Sequence, residues 1–182
     1  MSYHIVLGVT GSIAAYKAVE VVSSLIKQGN RVTVIMTSTA QRFVHPVTFR
    51  SISHNQVVTD LFVDNENYNP NHVSLGECAD LIVVAPATAN FIGKVISGIA
   101  DDALTCTVMA AQCPVIIAPA MNDSMYGNPI VQENIKKLAR LGYVFIEPEE
   151  GRLCTGQVGK GRLASLEKIL DVIKEELAKG GR

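Results

Sequence analysis

The 182-residue sequence predicts an α/β fold, a doubly wound and mostly parallel sheet with helices on both faces. Three observations carry this expectation. Apolar runs without polar alternation recur along the chain, HIVLGVT (4–10), DLIVVA (80–85) and VIIA (115–118), and such runs read as strands covered on both faces. Each run stops at a turn of small or polar residues, and each turn leads into a stretch with helical spacing. Strand and helix therefore alternate, which is the pattern of a parallel sheet wound on both sides.

Taken in order, residues 4–10 form the first strand. Gly11-Ser12 then turns into IAAYKAVEVVSSLIKQG, expected as one helix with Ala14, Ala18, Val21, Val22 and Leu25 on a common face and Gly29 as its stop. RVTVIM (31–36) is the second strand and ends in Thr37-Ser38-Thr39. Residues 40–55 are helical with an interruption at Pro46, and 63–71, VDNENYNPN, form a polar loop. VSLGECA, just after His72, is a short helix. DLIVVA turns through Pro86-Ala87-Thr88-Ala89-Asn90 into FIGKVISGIA, and Asp101-Asp102 opens a further helical stretch, ALTCTVMAAQC. VIIA stops at PAMNDSMY. NPIVQENIKKLARLG is then a helix with Pro129 in its first turn and Gly142 as its stop. YVFIEP is a last strand, GRLCTGQVGKGRL a glycine-rich loop, and LASLEKILDVIKEELAKGG an amphipathic final helix. Without repeats or a low-complexity linker, residues 1–182 are expected to be a single domain, Rossmann-like or flavodoxin-like in class.

A net charge of -1 and the lack of any dense Lys/Arg run point away from nucleic acid and membrane surfaces, and toward a small-molecule partner. No apolar stretch approaches the ~18 residues of a membrane span. The start, MSYHIVLGVTGS, runs straight into a strand without a basic leader, so a cytoplasmic location is expected. Cys78, Cys106 and Cys113 sit in apolar or helical contexts and are expected to be buried thiols; no cysteine has metal-ligand spacing, and no metal is expected. Cys154 differs, because it lies in the polar glycine-rich segment.

The strand ends carry the chemistry. In open α/β sheets ligands bind outside the carboxyl ends of the strands. Four such ends, Gly11-Ser12, Thr37-Thr39, Pro86-Asn90 and Ala118-Asn122, carry small or hydrogen-bonding residues. Gly8 and Gly11 do not complete GxGxxG, and the hydroxyls at 37–39 stand where a dinucleotide fold places an acidic residue, which favours a phosphate or mononucleotide over NAD. Each turn has a second reading. Thr88 or Asn90 either donates to a phosphate or caps a helix; Asn122 either faces a ligand or caps the next helix; Met121 and Met125 either line a pocket or fill the core. His72 is either a base near neutral pH or a structural hydrogen-bonder.

GSIAAYK, APATAN and PAMNDSMY, in this order and at these separations, resemble the signature stretches of the homo-oligomeric flavin-containing Cys decarboxylases, over essentially the whole chain. The resemblance implies FMN held by Gly11, Ser12 and Ile13, by Thr37, Ser38 and Thr39, by Thr88, Ala89, Asn90 and Phe91, and by Ala120. It implies His72 as the base, Asn122 on the substrate carboxylate beside Met121 and Met125, and Cys154 as a proton donor in a flap. The HVSL segment at His72 and the late cysteine make phosphopantothenoylcysteine the implied substrate and 4'-phosphopantetheine the product, within coenzyme A biosynthesis. A homotrimer or a multiple such as a dodecamer is implied, as is a synthetase on a separate protein. The sequence departs from the family pattern at Thr88, Phe91 and Tyr126, and Cys154-Thr155-Gly156 is one residue longer than the family's Cys-Gly. Such a carboxylate has no electron sink of its own, and a flavin supplies one by first oxidising the neighbouring carbon. Two alternatives accompany this reading: a peptidyl-cysteine decarboxylase that stops at the enethiol and needs no Cys154, and a non-catalytic FMN-binding regulatory protein.

Overall fold

A computed structural model describes residues 2–62, 71–152, 156 and 158–180, with 71 and 72 described by their backbone alone. Residues 63–70 of the expected loop 63–71, and Cys154, lie outside the described residues, and Asn71 begins a helix instead. Five strands, β1 (His4–Val9), β2 (Arg31–Met36), β3 (Leu81–Ala87), β4 (Val115–Pro119) and β5 (Val144–Phe145), form one sheet in the order β2-β1-β3-β4-β5. Every neighbouring pair in it is parallel. This is the flavodoxin-like strand order, in which the winding reverses between the first and third strands and opens a crevice at their carboxyl ends.

The alternation of side chains along β1 explains why its sequence is apolar from Ile5 onward. Ile5, Leu7 and Val9 face a layer built from α1 (Ala18–Lys27) and α8 (Leu166–Lys179), whose Val21, Val22, Leu25, Ile169 and Ile173 are buried there. Val6 faces the opposite layer, with α4 (Ala89–Ile96), α5 (Ala103–Met109) and α7 (Pro129–Arg140) contributing Phe91, Ile92, Leu104 and Leu138. Gly8 shares that face because Leu104 leaves no room for a Cβ. A parallel strand buried on both faces reads as a near-continuous apolar run.

Some elements differ from expectation for identifiable reasons. Residues 13–17 wind as a tight 3-10 turn before α1, because Ser12 caps them and Ala15 N–H donates to the Ser12 carbonyl at 2.9 Å. β3 runs on through Pro86 to Ala87, with a register irregularity against β4 that absorbs one extra residue. β5 has only two residues, and Ile146 N–H adds one more bond to Ile117 before Pro148 prevents continuation. The glycine-rich segment is framed by an antiparallel pair, β6 (Glu149–Arg152) and β7 (Val158–Arg162), rather than being loop throughout. α2 (Pro46–Ser53) starts at the expected proline. α3 spans Asn71–Cys78, so His72 lies in its first turn rather than ahead of the helix. Cys78 is exposed, and Cys106 and Cys113 are partly exposed, which corrects the expectation of three buried thiols. Cys78 is the last residue of α3 and lies beyond the apolar part of that helix.

Candidate active site

A cavity of about 850 Å³ opens at the carboxyl ends of β1, β2, β3 and β4. Its wall includes Gly11, Ser12, Ile13, Thr37, Ser38, Thr39, Thr88, Ala89, Asn90, Phe91, Ala120, Met121, Asn122 and Met125. The four strand ends of the sequence analysis thus meet in one space, of the size that small-molecule sites have. The position of the His72 side chain and the surroundings of Cys154 lie outside the described residues.

Thr10, the residue after β1, holds the crevice together. It is 1% exposed, and its Oγ1 donates to the Pro86 carbonyl at 2.7 Å while accepting from Thr88 N–H at 3.0 Å. One hydroxyl therefore ties the end of β1 to the end of β3 at the point where the winding reverses. Gly11 sits beyond it, against the Thr39 side chain, where a Cβ would have no room.

Four polar residues of the wall also accept from backbone N–H groups at helix starts, in a consistent way. Ser12 Oγ accepts from Ala14 N–H at 3.3 Å, Thr37 Oγ1 from Ala40 N–H at 3.3 Å, and Thr88 Oγ1 from Phe91 N–H at 3.3 Å. Asn122 Oδ1 accepts from Ser124 N–H at 3.0 Å and caps α6 (Asp123–Tyr126). Each cap uses an acceptor, and the hydroxyl protons and the Asn122 amide protons remain as donors. The capping reading and the ligand reading of these residues are therefore compatible. The resulting wall is rich in donors and suits an anion or a carbonyl-bearing ring.

Several wall residues were not singled out from the sequence. Lys94 bonds Asp101 at 2.6 Å and Asp102 at 3.4 Å, and the Asp101 hydrogen bond holds the Lys94 ammonium pKa above its usual value. Asp102 in turn forms a capping box with Thr105, accepting its N–H at 2.9 Å. The aspartate-x-x-threonine spacing is visible in the sequence, but it signals a helix start rather than a cavity. Lys17, Arg152, Gly161, Arg162 and Leu163 also line the space. The last four belong to the β6–β7 hairpin or its exit, and a glycine-rich stretch with no apolar run gave no signal of strands. The hairpin is anchored to the PAMN turn: Met121 N–H donates to the Gly161 carbonyl at 3.0 Å. A Cβ at 161 would fall on the Met121 carbonyl oxygen.

This donor set fits FMN, the cofactor the resemblance implies. Hydroxyl and backbone donors gather at the ends of β1, β2 and β3, and Lys17 closes the turn that follows β1, as a phosphate-bearing cofactor requires. Among the described residues no cluster of His, Cys, Asp and Glu is arranged to hold a metal ion, and no helix is long and apolar enough to cross a membrane.

Comparison with known proteins agrees with this geometry. The profile of the family described as Flavoprotein matches residues 1–178. The coenzyme A biosynthesis bifunctional protein CoaBC of Bacillus subtilis is 50% identical over 175 residues, covering 96% of this chain and 43% of that protein. The chain thus spans less than half the length of such bifunctional relatives. A probable phosphopantothenoylcysteine decarboxylase of Streptococcus mutans is 41% identical over 179 residues, covering 97% of this chain and 100% of that one. Among solved structures, the FMN-dependent cysteine decarboxylase SpaF superposes with a TM-score of 0.87 at 35% identity, covering 99% of this chain and 98% of that one. A PPC decarboxylase mutant complexed with pantothenoylaminoethenethiol gives 0.86 at 26% identity, over 96% of this chain and 98% of that one.

Proposed function

The chain belongs to the Flavoprotein family, and from that premise we propose that it is an FMN-dependent phosphopantothenoylcysteine decarboxylase. It converts 4'-phospho-N-pantothenoylcysteine to 4'-phosphopantetheine in coenzyme A biosynthesis. The observation that carries this reading is the meeting of GSIAAYK, APATAN and PAMNDSMY in one donor-rich cavity at the reversal of the sheet. The Streptococcus mutans relative, matched over 100% of its own length, supports the same assignment.

Gly11 to Ile13, Thr37 to Thr39, Thr88 to Phe91 and Ala120 hold FMN. When bound, FMN supplies a reversible two-electron acceptor beside the substrate's cysteine carbons. His72 takes the thiol proton of the substrate. Asn122 donates its amide protons to the carboxylate, with Met121 and Met125 beside it. A neutral donor is suited to this task, because a cation would stabilise the carboxylate in the ground state more than in the transition state for its departure. Cys154 returns a proton once CO2 has left. Residues 1–182 act as one domain and as a homo-oligomer in the cytoplasm, a trimer or a multiple of trimers. Ile13 and Tyr16, each 58% exposed at the lip of the cavity, are the apolar surface that a neighbouring copy covers.

The test is mass spectrometry of the FMN-loaded protein incubated with 4'-phosphopantothenoylcysteine. Formation of 4'-phosphopantetheine is expected; His72→Asn abolishes it with FMN still bound, and Cys154→Ser stalls at the enethiol. An enethiol from the unmodified protein would favour the second reading, a decarboxylase of peptidyl cysteine. Absence of any reaction with flavin bound would leave a regulatory FMN-binding protein.

A further inference from the structure

Two cations of the wall have no part in the chemistry above. Arg152 ends β6 beside the hairpin's turn, paired with Val158, and Arg162 ends β7 at the hairpin's open end, paired with Glu149; both line the cavity. Arg162 lies across the bare backbone of Gly151 on the paired strand: a Cβ at 151 would stand 2.9 Å from Arg162 Cδ and closer still to the guanidinium. The path of this side chain therefore depends on a glycine opposite it. Gly161, the residue before Arg162, is tied to Met121 at 3.0 Å, which puts the arginine beside the turn that carries Asn122.

Of the other cations nearby, Lys17 stands with the cofactor donors after β1, and two are already neutralised. Lys94 is held by Asp101 and Asp102, and Lys160 pairs with Glu147 and lies over the Tyr126 ring. Among the described residues, Arg152 and Arg162 have no carboxylate partner. Two unneutralised guanidinium forks thus face the cavity on its PAMN side. The hydroxyl and backbone donors suited to the cofactor line the ends of β1, β2 and β3 instead.

We propose, resting on the decarboxylase reading, that Arg152 and Arg162 hold the phosphate monoester of the substrate and make the enzyme select phosphorylated over unphosphorylated cysteine conjugates. The substrate has an anion at each end, and the two ends ask for different partners. The carboxylate must leave as CO2 and is served by a neutral amide. The phosphate passes through the reaction unchanged, so charged forks bind it equally in ground and transition states and lower KM without affecting kcat.

The experiment measures kcat and KM of the FMN-loaded enzyme for 4'-phosphopantothenoylcysteine and for pantothenoylcysteine. It compares the unmodified protein with Arg152→Gln, Arg162→Gln and Gly151→Ala, and records FMN per chain by absorbance. Each arginine variant is expected to lose about 10- to 100-fold in kcat/KM for the phosphorylated substrate, carried by KM, with the preference over pantothenoylcysteine falling toward one. Gly151→Ala moves the preference in the same direction by displacing Arg162, which separates loss of a charge from misfolding of the hairpin. An unchanged preference, or an equal loss on both substrates, overturns the assignment while leaving the decarboxylase reading intact. Loss of FMN from the arginine variants also overturns it, because the forks would then serve the cofactor phosphate. If the unmodified enzyme turns over neither substrate, the decarboxylase reading fails and this assignment falls with it.

Discussion

Replacing Thr10 with valine tests whether one hydroxyl holds the crevice in shape. Valine matches threonine in volume, so the change removes two hydrogen bonds and little else. The Pro86 carbonyl keeps a longer bond from Thr10 N–H at 3.3 Å, so the loss of its 2.7 Å partner costs about 1 kcal/mol. Thr88 N–H loses its 3.0 Å acceptor, and an unsatisfied donor at a half-buried site costs about 1–3 kcal/mol more. The sum is about 3 kcal/mol, or roughly 6–12 °C in Tm for a chain of this size. FMN affinity should weaken about tenfold as well, because Thr88 caps α4 and lines the cavity. The assay is urea unfolding of flavin-free protein at one fixed protein concentration, followed by fluorescence titration with FMN. Thr10→Ser, which keeps the hydroxyl, should recover most of both losses. If Thr10→Val stays within about 0.5 kcal/mol of the unmodified protein, the clasp contributes nothing and the reasoning fails.

Three other outcomes follow from the same geometry. Gly161→Ala drives a Cβ into the Met121 backbone, which cannot move aside; about 2–3 kcal/mol of stability should be lost in thermal melts, with substrate kcat/KM falling more than FMN affinity. His4 is 8% exposed, with one ring nitrogen 3.0 Å from Thr33 Oγ1 and the other 2.7 Å from Arg31, and burial followed by the Arg31 charge lowers its pKa from 6.5. The unfolded chain therefore binds this proton more tightly than the native one. His4 stabilisation is complete above 6.5 and declines as the pH falls from there toward the folded pKa. Urea midpoints from about pH 5 to about 7.5 should rise and then level off, and His4→Gln should flatten this part of the profile. Asn122→Asp keeps the oxygen that caps α6, so Tm should shift by no more than about 2 °C, yet it sets a charge against the substrate carboxylate and should lower kcat/KM by about 100-fold or more. A comparable loss of Tm and activity in that variant would mean that the residue is only a cap.

Much of this fold was legible because the same physical pattern repeats. RVTVIM is β2 residue for residue, and the expected apolar positions Ala14, in the 3-10 turn, and Ala18, Val21, Val22 and Leu25, in α1, are all buried in the core layer that holds Ile5 and Leu7 of β1. Parallel strands buried on both faces announce themselves as apolar runs. The hairpin did not, because Glu149–Arg152 and Val158–Arg162 contain hardly any apolar residues and pair mainly through backbone; its strands are held by their neighbours rather than by their own pattern. Arg152 and Arg162 stayed hidden for that reason. Lys94, Asp102 and Thr105 stayed hidden because their local signals describe helix ends, and only the packing of α4 against α5 brings those ends to the cavity.

Asn122 shows why the turns could not be resolved one at a time. Its position after a strand and before a helix fits a cap, and its position at a strand's carboxyl end fits a ligand contact. The structure makes the two readings compatible. The carbonyl oxygen is committed to Ser124 N–H, which fixes the orientation of the amide and leaves the amino group as the end available to the cavity. Capping thus preorganises the donor at no further conformational cost, and Ser12, Thr37 and Thr88 follow the same logic with their hydroxyls. A residue type that can accept toward the backbone and donate toward a ligand is favoured at each strand end, so Ser, Thr and Asn recur there.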